Sequence, residues 1–523
     1  MRWAQVDSVS SVDVPGAGAP GEGSGHRAGA SPRWVIAANR GPVEFYATHG
    51  GGRAHRLGSG GLATALSRLT AYLDDCVWVC AALGDEDRAV AREADDGEVA
   101  VRDGEAVNRL RLLDLDPGAF HQYYSVISNP IIWFVQHALW DLSNAPNIGA
   151  AERAAFDDGY RRVNEEFARA IVAATPRGCG PATVMVHDYH LYLVGELVRR
   201  ERPEAFLMHF VHVPWPQPDC WRVLPGWLRN ELLAGLLGND LVAFQTERYA
   251  RNFLLTCEEF LDLPVDTERC VVSVGDREVA VRWYPISVDV DQLEALARSP
   301  EVVQFQHALE NIRREHLILR VDRTDLSKNI LRGFLAFDVM LDRHPDLAGR
   351  VTFLALLQPS RQDVPEYAEY TEKILRLVAD INLKHGNVEW QPIDLRIENN
   401  LEQAVAAFKM FDVLLVNPVS DGLNLVAKEG MVVNERDGVL VLSEHAGAHD
   451  EIGAFALSVH PVDIDEQAEA LYAALFMAPE ERRRRRRGAV DVVRDNDLPS
   501  WLANQLADVR ALRVAQHLVE VPA

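Results

Sequence analysis

Short apolar runs that end in polar or small residues alternate with longer helical stretches, and this alternation limits the possible folds more strongly than any other property of the chain. The runs in the first half are WVIAANRGPVEF (from Trp34), VWVCAAL, TVMVHDYH, FLMHFVHVPW and DLVAFQ. Each has the composition of a buried strand that leads into a loop. Residues 157–174 and 191–202 have the pattern of helices. Alternating strands and helices predict a parallel α/β domain.

A second series of the same kind follows the segment VAVRWYPISVDVDQLEAL, which has the pattern of a last strand, a proline turn and a departing helix. We therefore expect a domain boundary near residue 290. The second series contains the runs HLILRVDRTDLSKN, RVTFLALLQPSR, DVLLVNP, GVLVLSEHAG and ALSVHP. With 523 residues, the chain is too long for one hydrophobic core of ordinary size. Ligands of such sheets bind beyond the carboxyl ends of the strands, so a cleft between two domains is expected.

The overall charge restricts the partners. The formal net charge is −24, which would repel nucleic acid and anionic membranes. Any anionic ligand must therefore bind in a local basic pocket. The run Arg482–Arg487 is interpreted as a solvated helix face, because the rest of the chain is strongly acidic.

The cysteines and the N-terminal segment bear on the compartment. The cysteines form no C-x-x-C pair and no dense cluster, so they indicate neither a zinc site nor a disulfide scaffold: Cys76, Cys80, Cys179, Cys220, Cys257 and Cys270. Residues 1–32 are rich in Gly, Ala, Ser and Pro and lack the apolar run of a signal peptide or membrane span. We expect a disordered tail and a location in the reducing cytoplasm.

The stretch SDGLNLVAKEG, residues 420–430, follows an apolar strand and has the properties of a phosphate-binding turn. Gly422 permits an unusual turn, and the residues after it open a helix whose free N–H groups can receive phosphate oxygens. Glu429 lies about one turn inside that helix, where its carboxylate can accept hydrogen bonds from a ribose. The structural alternative is an Asp N-cap with a salt-bridged Lys428 and Glu429.

The stretch VDRTDLSKN, residues 321–329, carries two cations in a loop after a strand. Arg323 and Lys328 are five positions apart, so both can converge on one diphosphate. An isolated loop of this kind is usually only surface, and Lys328, as an exposed loop cation, is expected to contribute little to folding. A second phosphate-binding feature in the same acidic domain favours the functional interpretation.

Three further stretches in the first half point to the same cleft: Asn39-Arg40 with the glycines of GSGGLA (Gly58, Gly60, Gly61), HDYH at 187–190, and HVPWP at 212–216. Asp188 and His212 follow apolar strands, so they are expected to face the cleft with groups that can hold sugar hydroxyls. Taken singly, each is more often a structural residue bonded to backbone.

These motifs occur in the order found in trehalose-6-phosphate synthases: NRGPV…GSGGLA, YYSVISNPIIW, HDYH, HVPWP, VDRTDLSKN, QPSRQDV and SDGLNLVAKE. The chain resembles this family from Trp34 to Leu512. The resemblance implies a GT-B fold with two Rossmann-like domains, at 33–290 (acceptor) and 291–495 (nucleotide-sugar), and a helix at 496–523 that crosses back to the first domain. It also implies a retaining glucosyltransferase that uses a nucleotide-glucose and glucose-6-phosphate and needs no metal or other cofactor.

The resemblance also implies residue roles. Arg323 and Lys328 would hold the donor diphosphate, Asp421 the donor sugar, Glu429 the ribose and His212 the far side of the sugar. The remaining donor residues are Gly61, which would close over the phosphates, and the turn Gly422, Leu423, Asn424, Leu425 and Val426. The acceptor residues are Arg40, Tyr124, Trp133, Asp188 and Arg361. Asp188, His212, Arg323 and Lys328 would act in catalysis, with front-face attack and the leaving phosphate taking the acceptor proton.

Four positions depart from the family pattern. Ala81 replaces a usual Trp, Asn329 replaces a Gly after Lys328, and Ser287 replaces a Gly in the inter-domain turn. Asn399 stands where users of UDP-glucose commonly have an aromatic residue; a buried amide at this position can pair with a base edge, which predicts a guanine nucleotide. The alternatives are a glucosylglycerol-phosphate synthase, a cyclitol-joining pseudo-glycosyltransferase and a catalytically silent sugar-phosphate sensor. Whether the chain forms a homo-oligomer is left open.

Overall fold

The structure, a computed structural model, describes residues 33–48, 51–57, 73, 75–94, 97–103, 106–176, 182–362 and 364–519. The predicted tail, Gly58, Gly60, Gly61 and Cys179 lie outside these ranges. All statements below concern the described residues.

The first half of the chain forms a ten-stranded sheet in the order β10-β11-β12-β9-β8-β7-β1-β4-β6-β5. Its strands are β1 Trp34–Ala37, β4 Cys76–Ala81, β5 Val99–Asp103, β6 Ala106–Leu113, β7 Thr183–His187, β8 Phe206–Phe210, β9 Leu241–Phe244, β10 Val265–Asp266, β11 Val271–Val274 and β12 Arg277–Trp283. The strands from β12 to β6 pair in parallel, and the strands outside them pair antiparallel. β2 Val43–Ala47 and β3 Arg53–Leu57 form a separate hairpin. The strand order reverses between β1 and β7, which makes the carboxyl ends of these two strands a topological switch point.

The second half forms a six-stranded parallel sheet in the order β15-β14-β13-β16-β17-β18. Its strands are β13 His316–Arg323, β14 Val351–Gln358, β15 Ile393–Ile397, β16 Val413–Val416, β17 Val439–Ser443 and β18 Leu457–Val459. This is the order 3-2-1-4-5-6 of a dinucleotide-binding Rossmann sheet. Its switch point lies between β13 and β16. β13 carries Arg323 at its end, and β16 leads into the turn that holds Asp421.

Helices cover both sheets because their apolar faces bury against the strands. Those of the first half are Asp85–Glu93, Pro117–His121, Phe134–Gln136, Ala150–Ala155, Arg162–Ala174, Val194–Glu201, Pro218–Trp221, Gly226–Leu237 and Glu247–Leu261, with π-helical segments Gln122–Trp133 and Phe156–Arg161. Two helices connect the sheets, Val290–Ala297 and Pro300–Glu310. The helices of the second half are Ile330–Arg343, Pro365–His385, Leu401–Met410, Leu425–Val433, His449–Ile452, Ile464–Leu475, Pro479–Asp495 and Leu498–Val519. Short 3₁₀ turns lie at Tyr189–Leu191, Leu326–Lys328, Pro345–Leu347 and Gly453–Phe455. Among the described helices, none is long and apolar enough to cross a membrane.

The last helix returns to the first sheet, as predicted. Trp501 is buried and donates its indole N–H to the carbonyl of Tyr284, and the Tyr284 hydroxyl contacts Asp508 at 2.6 Å. Arg513 donates to the Thr183 hydroxyl in β7. One apolar cluster, which includes Ile36, Leu319 and Trp501, extends from the large sheet to the small sheet. The two halves are therefore joined by a continuous core.

The arginine run lies in the helix Pro479–Asp495. Several of its side chains bind backbone carbonyls, which a purely solvated helix face would not need. Arg482 donates to the carbonyls of Asp437 and Asp412, and Arg485 donates to the carbonyl of Ala456. The other arginines lie beside carboxylates or carbonyls as well; Arg483, for example, pairs with Glu480. The run contributes to packing of the second half rather than forming a free basic patch.

Candidate active site between the two sheets

The cations predicted to bind the donor phosphates, Arg323 and Lys328, lie at the switch point of the small sheet. Lys328 ends a 3₁₀ turn that follows β13, and its ammonium contacts Asp421 Oδ2 at 2.5 Å. Asp421 also accepts a hydrogen bond from the Asn424 side chain. Lys328 and Asp421 are only 12% and 16% exposed. The structure thus brings together two residues that are 93 positions apart in the chain.

A buried network supports this pair. Arg320 on β13 is fully buried and donates to Asp322, to the Lys328 carbonyl and to Asn417. Burial raises the pKa of Asp322 to about 6, although the charges of Arg320 and Lys328 oppose the shift. Burial also raises the pKa of Asp421, but Lys328 lowers it to a net value below its ordinary one. Asp421 is therefore an ionised acceptor at neutral pH.

The two halves of the molecule touch at Gly422. A Cβ at this position would lie 1.8 Å from the carbonyl oxygen of His212, so only glycine permits the approach. Beside it, the Tyr249 hydroxyl donates to the Asp421 carbonyl. Asp421 and His212, predicted from different domains, are thereby adjacent.

The turn after Gly422 leads into the helix Leu425–Val433. Asn424 caps this helix with a left-handed backbone (φ 83°), so the N–H groups of the first turn follow directly after Asp421. Burial raises the pKa of the Glu429 carboxyl to about 7, and among the described residues it has no hydrogen-bond or ion-pair partner. Lys428 is buried and bonded to Glu451 and to the Ile286 carbonyl. The alternative of a Lys428–Glu429 salt bridge is therefore wrong, because Lys428 is committed elsewhere.

His212 is held in one neutral form. The Ile286 N–H donates to Gln245 Oε1, so Gln245 must donate through Nε2 to His212 Nδ1, at 2.9 Å. His212 Nε2 then carries the proton and faces His187 Nδ1 at 3.1 Å. Burial and the neighbouring histidines lower the pKa of His212 well below its ordinary value. Both ring nitrogens are thus occupied, and contact with a sugar through the ring requires exchange of one of these bonds.

Asp188 lies at the switch point of the large sheet, in a strained conformation for a non-glycine residue (φ 71°, ψ 171°). Its N–H donates to the Phe210 carbonyl, and its carboxylate accepts from the His212 N–H. Burial raises the pKa of Asp188 to about 6 against the lowering effect of the backbone donors. The structure places this carboxyl directly after the end of β7, beside His212.

The predicted acceptor residues include a cluster of arginine and aromatic side chains. The Arg361 guanidinium lies 4.9 Å above the Trp133 ring and 5.2 Å from the Tyr367 ring centre, a cation–π arrangement. It donates to the hydroxyls of Tyr367 and Tyr189, the latter at 2.9 Å. Trp133 stacks on His137 with ring centres 4.0 Å apart.

Tyr124 and Arg40 complete this cluster. Tyr124 stacks on His190. Although burial raises the pKa of the Tyr124 hydroxyl, the positive charges of Arg361 and Arg40 lower it to a net value below the ordinary one. Arg40 is half exposed, and its nearest carboxylate is 3.9 Å away, at Glu44. The structure brings Arg40, Tyr124, Trp133 and Asp188 of the first half together with Arg361 of the second half.

Two predicted donor residues are not placed in this arrangement. Gly61 lies outside the described residues. Asn399 lies in the loop between β15 and the helix Leu401–Met410 and is exposed, not buried as a base-pairing amide was expected to be. In the described residues it has no hydrogen-bond partner. Asn399 is therefore free to meet a ligand, but no contact fixes its side chain.

The residues that depart from the family pattern are accommodated by their backbone conformation or by burial. Asn329 has a left-handed backbone (φ 58°), which asparagine tolerates, and its amide donates to the carbonyls of Asn417 and Pro461. Ala81 is buried at the end of β4, and Ser287 is buried in the turn after β12. Asn329 thus adopts a left-handed conformation of the kind that glycine also favours.

Sequence analysis missed the residues that orient the predicted ones. Asp325 and Tyr367 contact Arg323 and Arg361, while Gln245 and Tyr249 contact His212 and the Asp421 carbonyl. Asp325 and Tyr189 lie inside motifs that were singled out, so their position there was an available signal. Gln245, Tyr249 and Tyr367 lie outside those motifs, and nothing local marks them.

Comparison with known proteins identifies the family of the chain. The model of glycosyltransferase family 20 matches residues 32–511. A bifunctional trehalose-6-phosphate synthase/phosphatase of Thermoproteus tenax is 34% identical over 509 residues, which is 93% of this chain and 65% of that relative. This chain therefore spans slightly less than two thirds of the length of that relative. A validamine 7-phosphate valienyltransferase of Streptomyces hygroscopicus subsp. jinggangensis is 31% identical over 442 residues, covering 84% of this chain and 86% of the relative.

Among solved structures, a UDP-forming alpha,alpha-trehalose-phosphate synthase from Burkholderia xenovorans in complex with glucose-6-phosphate superimposes with a TM-score of 0.78. It is 28% identical and covers 91% of this chain and 100% of its own. The comparisons confirm the predicted resemblance to trehalose-phosphate synthases and the GT-B fold.

Proposed function

Since the chain belongs to glycosyltransferase family 20, we propose that it transfers glucose from a nucleotide-glucose to glucose-6-phosphate, with retention, and so forms trehalose-6-phosphate. One observation carries the proposal. The paired donor residues Lys328 and Asp421 lie near the arginine and aromatic cluster around Arg361, because the charges of Asp421 and Arg361 both act on His137, which stacks on Trp133. A nucleotide-sugar and a sugar phosphate can therefore meet at one site.

The proposed chemistry follows from the charges. Lys328 and Arg323 stabilise the diphosphate as the bond between the sugar C1 and its phosphate oxygen breaks. The first turn of the helix Leu425–Val433 adds N–H donors for phosphate oxygens, as the amides of a helix N-terminus do. An acceptor hydroxyl forms the new bond at C1 from the same face, and its proton passes to the leaving diphosphate. Asp188 and the neutral His212 line the sugar side.

The acceptor side fits a sugar phosphate. Arg361 and Arg40 supply two positive charges near the Tyr124 hydroxyl, and Trp133 offers a ring to the apolar face of a sugar. Glu429, which has no partner in the described residues, is assigned to the donor ribose. These intact residues argue against a catalytically silent sensor.

For the donor base we propose guanine. The supporting observation is Asn399, an exposed amide in the loop after β15 that can pair with a purine edge on binding. The similar Burkholderia protein is UDP-forming, so UDP-glucose is the competing donor. Because Asn399 is exposed, its loss costs only the bond it makes to the bound base, about 1 kcal/mol or somewhat more.

A donor and acceptor activity matrix tests both statements. UDP-glucose and GDP-glucose are each combined with glucose-6-phosphate and with glycerol phosphate, and kcat/KM is measured. We expect glucose-6-phosphate to be the acceptor and GDP-glucose to be preferred about tenfold. Asn399→Phe should reduce that preference, and Asn399→Ser separates loss of the amide from gain of a ring. No turnover with glucose-6-phosphate would refute the function; an unchanged donor ratio in Asn399→Phe would refute the base assignment.

A second candidate is a transferase that joins a cyclitol to a cyclitol phosphate. The similar valienyltransferase supports it, as does Ala81, whose small side chain leaves more room than the usual Trp. If the enzyme turns over a cyclitol phosphate as acceptor but shows no turnover with glucose-6-phosphate, this candidate is favoured.

A further inference from the structure

Two arginines with different proposed substrates lie in neighbouring loops of the small sheet. Arg323 ends β13 and is assigned to the donor diphosphate, while Arg361 follows β14 and is assigned to the acceptor phosphate. Arg323 pairs in register with Gln358, three residues before Arg361. The Thr324 N–H donates to the Gln358 carbonyl, and the Ser360 N–H donates to the Thr324 hydroxyl at 3.0 Å. The two loops are therefore tied together next to residue 325.

Asp325 lies at this junction with a fully buried side chain. Its Oδ2 is 2.6 Å from Arg323 Nη2 and the Ser360 side chain lies within reach, yet neither carboxylate oxygen accepts a hydrogen bond of regular geometry from the described residues. Buried polar groups usually have at least one such partner. Asp412 in the same sheet is such a case, because it accepts from the Leu317 N–H, from Arg313 and from Arg436.

The contact leaves most of the Arg323 guanidinium available. Arg323 is 47% exposed, and in the described part of the chain its one ion-pair partner is Asp325, through Nη2. Nη1 and Nε remain open, and a guanidinium can bind a carboxylate on one edge and phosphate oxygens on another. Burial raises the pKa of Asp325, but the charges of Arg323 and Arg361 lower it to about 2. Asp325 is thus an anion that interacts electrostatically with both arginines.

We propose that Asp325 is a positioning residue that holds one edge of Arg323, beside the loop of Arg361, so that the remaining edge meets the donor diphosphate. This inference rests on the proposed function of the cleft. A misplacement of a charged group by about 1 Å can cost about a hundredfold in rate. Asp325 acts through Arg323 and does not touch substrate.

A double-mutant cycle of Asp325→Asn and Arg323→Ala tests the proposal. We expect Asp325→Asn to lower kcat about ten- to hundredfold while free nucleoside diphosphate, followed by titration calorimetry, binds as tightly as before or more tightly, since one negative charge is removed from the cation cluster. The double variant should be no slower than Arg323→Ala alone, because Asp325 then has nothing to position.

Asp412→Asn is the matched control: a buried, arginine-paired carboxylate in the same sheet. It should lower the melting temperature and leave kcat of the folded enzyme unchanged. If the losses in kcat add in the cycle, or if Asp325→Asn weakens diphosphate binding as much as turnover, Asp325 is only structural. If Asp325→Asn does not fold, Thr324→Val loosens the same junction, and an unchanged kcat there would overturn the proposal. An inactive wild type would instead refute the proposed function, so the two failures are separable.

Discussion

At the scale of single residues, the largest difference from sequence-based expectation concerns Lys328. A cation in a loop was expected to be exposed and to add little to stability. The structure instead buries it against Asp421, at 2.5 Å, beside the carboxylate of Asp322. The expectation was wrong because the partner lies in a distant segment. Removal of one member of such a pair leaves the other charge poorly solvated.

We therefore predict that Lys328→Ala lowers both turnover and stability. Turnover should fall about a hundredfold or more, since the diphosphate loses a stabilising charge. The free energy of unfolding should fall by about 3 kcal/mol, because Asp421 is left unpaired. Chemical denaturation and steady-state kinetics measure the two effects.

The double variant Lys328→Ala/Asp421→Asn provides the control. It should regain part of the lost stability, since no unpaired charge remains, but none of the turnover. Recovery of turnover, or a single variant as stable as wild type, would contradict the assignment of this pair.

At the scale of elements, the contact between the turn at Gly422 and the His212 carbonyl joins the two halves at the site. The last helix reinforces the same place. Trp501 packs on Phe210 with ring centres 5.6 Å apart, and Phe210 stacks on His212 at 4.3 Å. The position of His212 therefore depends on elements from both ends of the chain.

Gly422→Ala should push the turn at Gly422 away from the His212 carbonyl. The added Cβ would meet the His212 carbonyl oxygen, which is backbone and cannot rotate away. We expect kcat/KM to fall about a hundredfold, since a displacement of about 1 Å at the site is enough for that loss. Gly226→Ala is the matched control, because its Cβ meets only the end of Arg229 at 3.7 Å. Equal kinetic constants for both variants would show that the Gly422 contact does not shape the site.

At the scale of the whole molecule, five uncharged histidines of the first half lie near the cleft, four of them buried and His212 partly buried. Burial lowers the pKa of His137 to about 4 and those of His187 and His209 to about 3. The pKa values of His190 and His212 are also well below the ordinary value, again through burial. In the unfolded chain all five take up protons near pH 6.5.

Stability should therefore fall as the pH decreases from about 6.5, because the unfolded state binds more protons at these histidines. Asp188, Asp322 and Glu429 have raised pKa values and oppose this trend, since the folded state protonates them first. The five histidines outweigh these three carboxyls, and the lowered pKa of His316 and the raised pKa of Glu451, both caused mainly by burial, act in opposite directions. The free energy of unfolding should therefore fall by about 2–3 kcal/mol per pH unit between pH 6 and 5. Denaturation at several pH values measures the slope.

His209→Leu should reduce that slope by about 1.4 kcal/mol per pH unit, the contribution of one proton. His307→Gln changes a histidine with a 73% exposed side chain and should leave the slope unaltered. A free energy of unfolding that does not change from pH 6.5 to pH 5 would contradict the assignment of neutral buried histidines.

The cytoplasmic location and the domain limits remain predictions.

The sequence by itself determined the α/β class, the two strand series and most of the residues at the strand ends. Arg323, Asp188 and the turn at 421–426 could be identified because hydrophobic periodicity and glycine placement are local properties. The resemblance of motifs then supplied the roles, which no local property contains.

Only the tertiary structure decided the charge state and the orientation of those residues. Lys328 and Asp421 are 93 positions apart, and Arg361 and Tyr189 are 172 positions apart. The pKa of a carboxyl or an imidazole depends on burial and on neighbouring charges, and both come from segments that the fold brings together. The neutral form of His212 and the anionic Asp325 therefore follow from contacts in space, which the order of residues along the chain does not reveal.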